Sequence, residues 1–112
     1  MVEYTPEQGD IVWLSLSPQS GHEQTGRRPA VVLSPSSYND KVGLGIFCPI
    51  TSKIKGYPFE IELPKECTIK GVVLSDQIKS LDWRSRSAEF ICKIPKESLS
   101  DISSKLKLIL PE

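Results

Sequence analysis

Short apolar segments, each closed by turn-forming residues, are the feature that most constrains what this chain can fold into. The first, Ile11–Leu16, is rich in residues that favour strands and is closed by Ser17 and Pro18. The later segments of this kind are Pro29–Leu33, Val42–Ile50, Phe59–Leu63, Val72–Leu74, Gln77–Leu81 and Ala88–Ile94. Turn signals separate all of them, and segments this short are typical of strands. The pattern therefore predicts a mainly β fold.

Alternation within two of these segments indicates which way their side chains face. Phe59–Leu63 alternates between apolar and acidic residues, which predicts a strand with one face in water. The last segment is predicted to present one apolar face, made of Ala88, Phe90, Cys92 and Ile94.

Helical periodicity is clear only near the C-terminus. There, Ser98 and Asp101 are placed as a variant of the capping box, ahead of one apolar helix face. Earlier in the chain, Pro35–Lys41 is predicted to form one helical turn with Ser34 as its cap. The residues of the C-terminal apolar face are Leu99, Ile102, Leu106 and Ile109. Many short strands followed by one amphipathic helix, without an internal repeat, predict a small barrel.

The size and composition of the chain predict one globular domain spanning residues 1–112. Its 14 basic and 14 acidic residues cancel, so nucleic-acid binding would require a local basic patch. Cys48, Cys67 and Cys92 are odd in number and far apart, which predicts reduced thiols. No signal peptide and no apolar segment long enough for a membrane helix is visible, so we expect a cytoplasmic protein without a membrane partner.

The arginines are distributed unlike the lysines. Ten lysines are scattered, whereas the four arginines form two close pairs, Arg27 with Arg28 and Arg84 with Arg86. The planar guanidinium suits phosphate, so each pair is a possible phosphate contact. The alternative, exposed solubilising charge, is equally compatible with either pair taken alone.

Two segments carry candidates for catalysis. Arg28 stands where a polar loop meets a buried strand, which would fix its backbone and leave its head exposed. Glu23, in the same loop, could accept a proton or orient the guanidinium, although a carboxylate in a loop is more often simply solvated. Thr51 and Ser52 end an apolar strand beside two lysines, which suggests an anion site. Strand-end hydroxyls that satisfy loop backbone groups are the alternative.

The remaining polar and aromatic residues give weaker signals. His22 is the sole histidine, and without a second one a two-histidine mechanism has no support. Tyr57 and Trp83 lie beside cations and could stack on bases, although core packing is the more common use of such residues. No metal-binding motif and no nucleotide-binding motif is present, so we expect no cofactor and a metal-free reaction.

Several blocks of the sequence form an ordered set: Gly9–Trp13, Glu23–Ser34, Pro49–Ser52, Lys55–Glu60 and Gly71–Ser80. Together they resemble the MazF/PemK toxins. This agreement extends from about residue 9 to residue 87 and is far more specific than any single motif.

The resemblance implies an SH3-like barrel of the plasmid-toxin (CcdB/PemK) type with a C-terminal helix, and an obligate homodimer. It also implies a sequence-specific endoribonuclease that cuts single-stranded RNA, chiefly mRNA, without a metal. In such a reaction the ribose 2′-hydroxyl attacks the adjacent phosphate, which leaves a 2′,3′-cyclic phosphate and a 5′-hydroxyl. Growth arrest and neutralisation by a MazE-like antitoxin with an acidic disordered tail follow from the same resemblance.

The resemblance also assigns roles to individual residues. Arg28 and Thr51 match the catalytic arginine and threonine, and Glu23 matches a loop carboxylate that acts as base or positioning group. Gln24 would contact substrate, and Ser52 would assist Thr51. His22 and Arg27 depart from the family's usual residues and flank the catalytic loop. The expected substrate-binding residues are Gln24, Arg27, Ser52, Lys53, Lys55, Tyr57, Lys79, Trp83, Arg84 and Arg86.

Two other functions are compatible with such a barrel. One is a toxin that poisons gyrase on the same fold without nuclease activity, and the other is a catalytically silent RNA-binding barrel. Fold alone does not separate these functions from a nuclease. Arg28 together with Thr51 favours the nuclease, because the other two functions do not require that pair.

Overall fold

The structure is a computed structural model that describes residues 4–15 and 26–111. These residues form seven strands and two helices, which confirms the predicted mainly β class. The strands are β1 (Asp10–Ser15), β2 (Arg27–Val32), β3 (Gly45–Thr51), β4 (Glu60–Glu62), β5 (Val72–Leu74), β6 (Lys79–Leu81) and β7 (Glu89–Lys93). The helices are α1 (Ser36–Val42) and α2 (Lys96–Lys107).

Strand β3 is at the centre of the sheet. The strand order is β4-β5-β3-β2-β1-β7, with β6 also paired to β3, and each pairing is antiparallel. One half of β3 pairs with β6 and the end of β3 pairs with β5. Because β3 contacts three other strands, the chain that leaves it at Thr51 starts from a well-supported position.

The apolar core is divided between the two faces of the sheet, as the alternation of side chains along a strand requires. On one face a cluster packs under α2, whose Ile102 is completely buried. Its members include Ile11, Val31, Cys48, Ile50 and Val73. The second cluster, on the opposite face, consists of Val12, Leu14, Ala30, Val32, Phe47 and Trp83.

The cap predicted for α1 is wrong. The helix is capped by Pro35, and no side chain caps it by a hydrogen bond. The Ser34 hydroxyl instead donates to Asn39 Oδ1 at 2.5 Å and accepts the Ile46 N–H at 2.8 Å. Asn39 is fully buried, so Ser34 satisfies a core amide rather than the helix terminus.

The C-terminal helix is confirmed, but its predicted cap and its last apolar position are wrong. Its N-cap is Pro95, so Ser98 and Asp101 lie inside the helix rather than at its start. Leu99, Ile102 and Leu106 pack against the core as predicted, and Lys107 is the last helical residue. The fourth position of the predicted face, Ile109, therefore lies beyond the helix and is 51% exposed.

Two strands also differ from the sequence-based prediction. Strand β3 begins at Gly45 rather than Val42, because Val42 belongs to α1 and Gly43 closes that helix at a φ of 83°. In β7 the register with β1 shifts between Ile11 and Val12. A shift of this kind breaks the period of two, so Phe90 is half exposed and the predicted single apolar face is interrupted.

A buried carboxylate joins the N-terminal segment to β7. Asp10 is 2% exposed and accepts hydrogen bonds from the Tyr4 hydroxyl and from the Glu7 N–H. It also pairs with Lys93 at 2.9 Å. The hydrogen bond to Asp10 raises the pKa of Lys93, and burial followed by the same carboxylate raises the pKa of Tyr4. This cluster fastens one end of the β1–β7 pair.

Among the described residues, neither helix is long enough or apolar enough to cross a membrane.

Candidate active site

Arg28 projects from the beginning of β2, on the face of the sheet that carries the second core cluster. It pairs across strands with Leu14, and its side chain is exposed. Its Nη1 donates to the Arg27 carbonyl at 3.0 Å. With Lys79 and Arg86 it lines a cleft of about 180 Å³ whose floor is formed by core residues. We call this the arginine cleft; its lining is Leu14, Ser15, Arg28, Pro29, Ala30, Phe47, Pro49, Lys79, Leu81 and Arg86.

Thr51 is the last residue of β3, and the strand register brings it towards Arg28. The β2–β3 pairing includes Ala30 opposite Pro49. The described β2–β3 ladder ends at this pair, and the same register extended by two residues would set Arg28 opposite Thr51 on one face of the sheet. Neighbouring strands lie about 4.8 Å apart, so the two side chains can reach a common phosphate. The sequence-based pairing of Arg28 with Thr51 is compatible with this geometry.

The Thr51 side chain is oriented by its own loop. Its Oγ1 accepts the backbone N–H of Lys53 at 3.1 Å. Because the oxygen is used as an acceptor, the hydroxyl proton remains able to donate to another group. Close packing against Gly71 also fixes the backbone, since a Cβ on that glycine would lie 2.3 Å from the Thr51 carbonyl oxygen.

A second and larger cleft, of about 450 Å³, begins at Thr51. We call it the lysine cleft. Three of the predicted substrate-binding residues lie along it with Thr51, so the structure brings part of the predicted set together. Its lining consists of Thr51, Lys53, Lys55, Tyr57, Glu60, Leu74, Asp76 and Gln77.

Two carboxylates that sequence reasoning missed shape the lysine cleft. Glu60 accepts hydrogen bonds from the backbone N–H groups of Lys55 and Gly56, each at 3.1 Å. These bonds hold in place the loop of residues 52–57, which we call the cationic loop. Asp76 accepts the Tyr57 hydroxyl at 2.6 Å, and this bond raises the pKa of Tyr57. Strand alternation marks Glu60 only as a residue on a wet face, and no sequence signal indicates Asp76.

Arg27 points away from both clefts. Strand alternation sends its side chain to the face opposite Arg28. There its Nη1 donates to Ser15 Oγ at 3.0 Å, and its Nη2 donates to the Ser87 carbonyl at 2.9 Å and lies 3.3 Å from a Glu89 carboxylate oxygen. The structure therefore does not place Arg27 with the other predicted substrate-binding residues.

Trp83 is a core residue, so the prediction that its ring stacks on a base is wrong. It is 4% exposed, packs in the second core cluster, and donates its indole N–H to the Asn39 carbonyl at 3.2 Å. Arg84 lies over this ring, 4.4 Å from its centre, and pairs with Asp40 at 3.5 Å. Arg84 lines neither cleft.

The other predicted residues are located as follows. Arg86 lines the arginine cleft and donates to the Ser15 carbonyl at 3.0 Å. Ser52 is exposed and follows Thr51 into the loop. Glu23, Gln24 and His22 lie outside the described residues.

Within the described parts of the chain, no three histidine, cysteine or acidic side chains are grouped so that they could hold a metal ion.

The sequence of this chain is similar to those of known endoribonuclease toxins. Over 107 residues the chain is 43% identical to the endoribonuclease toxin MazF of Escherichia coli K12, covering 96% of each chain. It is 33% identical to the E. coli endoribonuclease toxin ChpB, covering 93% of each.

Solved structures agree with these sequence comparisons. A MazE–MazF crystal structure from Deinococcus radiodurans matches with a TM-score of 0.88 and 51% identity over 96% of each chain. MazF alone from the same organism matches with a TM-score of 0.86 and 51% identity, over 96% of this chain and 97% of that one. The fold is thus the expected plasmid-toxin barrel. Because residues 7–110 also match the family of PemK-like, MazF-like toxins of type II toxin–antitoxin systems, the chain belongs to that family.

Proposed function

We propose that this endoribonuclease toxin cuts single-stranded RNA at a short sequence motif, without a metal ion, and leaves a 2′,3′-cyclic phosphate and a 5′-hydroxyl. The observation that carries the proposal is the placement of Arg28 and Thr51 at neighbouring strand ends. One is a permanent cation and the other is a hydroxyl with a proton to donate. Together they would form a site for one phosphate, with the arginine cleft beside Arg28 and the lysine cleft beside Thr51.

The phosphate would be held most strongly in the transition state. When the 2′-oxygen attacks phosphorus, negative charge grows on the non-bridging oxygens. Arg28 would stabilise that charge with its guanidinium, and Thr51 would donate a hydrogen bond to one of the oxygens. Arginine scarcely deprotonates, so charge stabilisation is an easier role for Arg28 than proton transfer.

The proton balance of the reaction requires a base and a proton source. The 2′-hydroxyl loses its proton to the base as the new P–O bond forms, and the 5′-oxygen takes a proton from water as the old P–O bond breaks. We propose Glu23 as the base or as the group that positions the nucleophile, with Gln24 in contact with substrate. This assignment rests on the match of these residues to the family's motif.

The two clefts would hold the strand on either side of the cut. Lys53 and Lys55 would contact phosphates along the lysine cleft, and Tyr57, which is 45% exposed, would offer a ring for stacking. Lys79 and Arg86 would contact phosphates along the arginine cleft. Bases must be splayed for such contacts, so a flexible single strand such as cytoplasmic mRNA is the proposed substrate.

We also propose two protein partners. One is a MazE-like antitoxin, since a D. radiodurans relative is solved as a MazE–MazF complex. Its acidic tail would lie over the same cationic residues and block RNA. A second copy of the chain would cover apolar surface near the end of α2, where three consecutive residues are 46–72% exposed. These residues are Leu108, Ile109 and Leu110.

The first experiment is cleavage of a long single-stranded RNA in excess EDTA, with every new end mapped. We expect discrete cuts at one motif, 2′,3′-cyclic phosphate termini, and a loss of about 100-fold or more in rate for Arg28→Ala. Lys41→Ala is the matched control, because this exposed lysine at the end of α1 lines neither cleft.

Each alternative function gives a different result in that assay. An RNA left intact by the folded protein excludes the nuclease and favours a gyrase poison or a silent RNA-binding barrel. Cutting that stops in EDTA and returns with a divalent metal shows that the reaction is metal-dependent.

A further inference from the structure

Arg27 is adjacent to the proposed catalytic arginine, and its side chain contacts the end of β1 and the segment at the start of β7. Its guanidinium spans three parts of the chain: the Ser15 hydroxyl at the end of β1, the Ser87 carbonyl, and the Glu89 carboxylate at the start of β7. The fork of a guanidinium can bind several groups in fixed directions, which a lysine cannot do. Arg27 therefore joins β1, β2 and β7 at one edge of the sheet.

This contact lies at the end of the described β1–β2 ladder, beside Arg28. Ser15 opposite Arg27 is the last described pair of the β1–β2 ladder, and Arg28 is the next residue of β2. Strand ends open more easily than strand centres, because fewer neighbours hold them. A side-chain clamp at Arg27 would therefore constrain the backbone that carries Arg28.

Ser15 is held at this point through both its backbone and its side chain. Its N–H donates to the Arg86 carbonyl at 2.9 Å, and its carbonyl accepts from Arg86 Nη1 at 3.0 Å. Its hydroxyl accepts from Arg27. Ser87, which also binds Arg27, has a φ of 53°, a conformation that persists only where neighbouring contacts hold it.

We propose that Arg27 is a positioning residue, which clamps the ends of β1 and β7 to the start of β2 and thereby fixes Arg28 in the arginine cleft. The inference rests on the proposed cleavage reaction. It replaces the earlier expectation that Arg27 binds substrate, because its guanidinium lies on the face opposite both clefts.

The test is cleavage of a short RNA carrying the mapped motif, with kcat and KM measured separately. We expect Arg27→Met to lower kcat by about 10- to 100-fold, since small misplacements of a catalytic group have effects of that size. KM should stay within about twofold, because no substrate contact is removed. Arg27→Lys should recover only part of kcat, since one ammonium cannot reach all three partners.

Lys93→Met is the matched control. It removes a cation that also pairs with a carboxylate across β1 and β7, but at the opposite end of those strands. We expect it to lower the melting temperature and leave kcat unchanged. Glu89→Gln removes only the exposed ion pair of the clamp, so it should retain most of kcat.

A milder variant keeps the test decisive if Arg27→Met does not fold. Ser15→Ala removes one partner of the clamp and leaves both backbone contacts of Ser15 with Arg86. It should lower kcat less than Arg27→Met does, and in the double variant the two losses should not add.

The opposite results would overturn the inference. A raised KM with unchanged kcat in Arg27→Met would show that Arg27 binds RNA directly. An unchanged kcat and KM would show that the clamp is dispensable. Either result, with Arg28→Ala inactive, leaves the proposed reaction in place; a fully active Arg28→Ala would instead overturn the reaction itself.

Discussion

At the scale of single residues, the Thr51 hydroxyl divides its hydrogen bonds between the fold and the proposed chemistry. Its oxygen accepts the Lys53 N–H and thereby sets the rotamer of the side chain. Its proton remains available for a phosphoryl oxygen. A hydroxyl held in this way loses little freedom when substrate binds, so its hydrogen bond can act fully in the transition state.

Two substitutions of Thr51, one that removes the hydroxyl and one that keeps it, test this role. Thr51→Val keeps the branched shape and removes the donor, so we expect kcat to fall by about 100- to 1,000-fold. Thr51→Ser keeps the donor and should stay within about tenfold of the unaltered protein. Rates on the mapped RNA motif measure both. Equal activity in the valine variant would show that the hydroxyl plays no part in the reaction.

Trp83 and Arg84 show why neighbouring residues can have different uses. The Trp83 ring is buried and holds the core of one sheet face. Arg84 stacks over that ring and pairs with Asp40 on α1. Both contacts are structural, so substitution of Arg84 is expected to affect RNA cleavage less than substitution of a cleft residue.

At the scale of secondary-structure elements, β5 sets the position of the end of β3. Thr51 pairs with Val72, and Gly71 precedes that pair at a φ of 135°. A Cβ at Gly71 would lie 2.3 Å from the Thr51 carbonyl oxygen, far inside van der Waals contact. A glycine is required there because the two backbones approach so closely.

Two glycine substitutions separate that clash from ordinary backbone strain. Gly71→Ala should destabilise the fold by about 2–4 kcal/mol and lower kcat, since the end of β3 must move. Gly56 also has a positive φ, of 78°, but a Cβ there would meet nothing within 4 Å. Gly56→Ala should therefore cost only about 1 kcal/mol.

Denaturant unfolding and cleavage rates measure these two outcomes. Equal losses of stability in the two variants would mean that backbone strain alone explains both, and that contact with Thr51 contributes nothing.

At the scale of the whole molecule, a chain with zero net charge is proposed to bind a polyanion. The overall field supplies no attraction, so binding must come from the cations of the two clefts. In the lysine cleft Glu60 and Asp76 carry as many charges as Lys53 and Lys55, so binding there must come from direct contacts of the two lysines with phosphates. Both carboxylates are directed at groups of the protein, Glu60 at two backbone N–H groups and Asp76 at the Tyr57 hydroxyl.

The salt dependence of RNA binding tests this distribution of charge. Each phosphate contact to a single strand contributes about 0.7 to the slope of log K against log salt concentration. Lys53→Ala and Lys79→Ala should each reduce the slope by about that amount, and Lys41→Ala should not change it. The binding measurement uses Arg28→Ala as the common background, so that the RNA stays intact. A slope unaffected by either cleft substitution would contradict the proposed path of the strand.

What the sequence by itself determined is local. Short apolar segments and turn residues locate the strands. Both signals come from residues close in the chain, because side chains alternate between the two faces of a strand and turns need particular residues. Helical spacing locates α2 for the same reason. The motif blocks predict the family, and the resemblance to that family predicts catalytic roles for Arg28 and Thr51.

Only the tertiary structure decided which residues meet. Arg27 and Arg28 are neighbours in the sequence, yet alternation along β2 sends them to opposite faces, and the packing of β1 and β7 gives Arg27 its partners. Trp83 looks like an aromatic beside a cation, but the core cluster on its sheet face buries it. Asp76 reaches Tyr57 only because β5 and the cationic loop are brought together. Contacts between distant segments depend on the whole packed chain, and no local pattern carries that information.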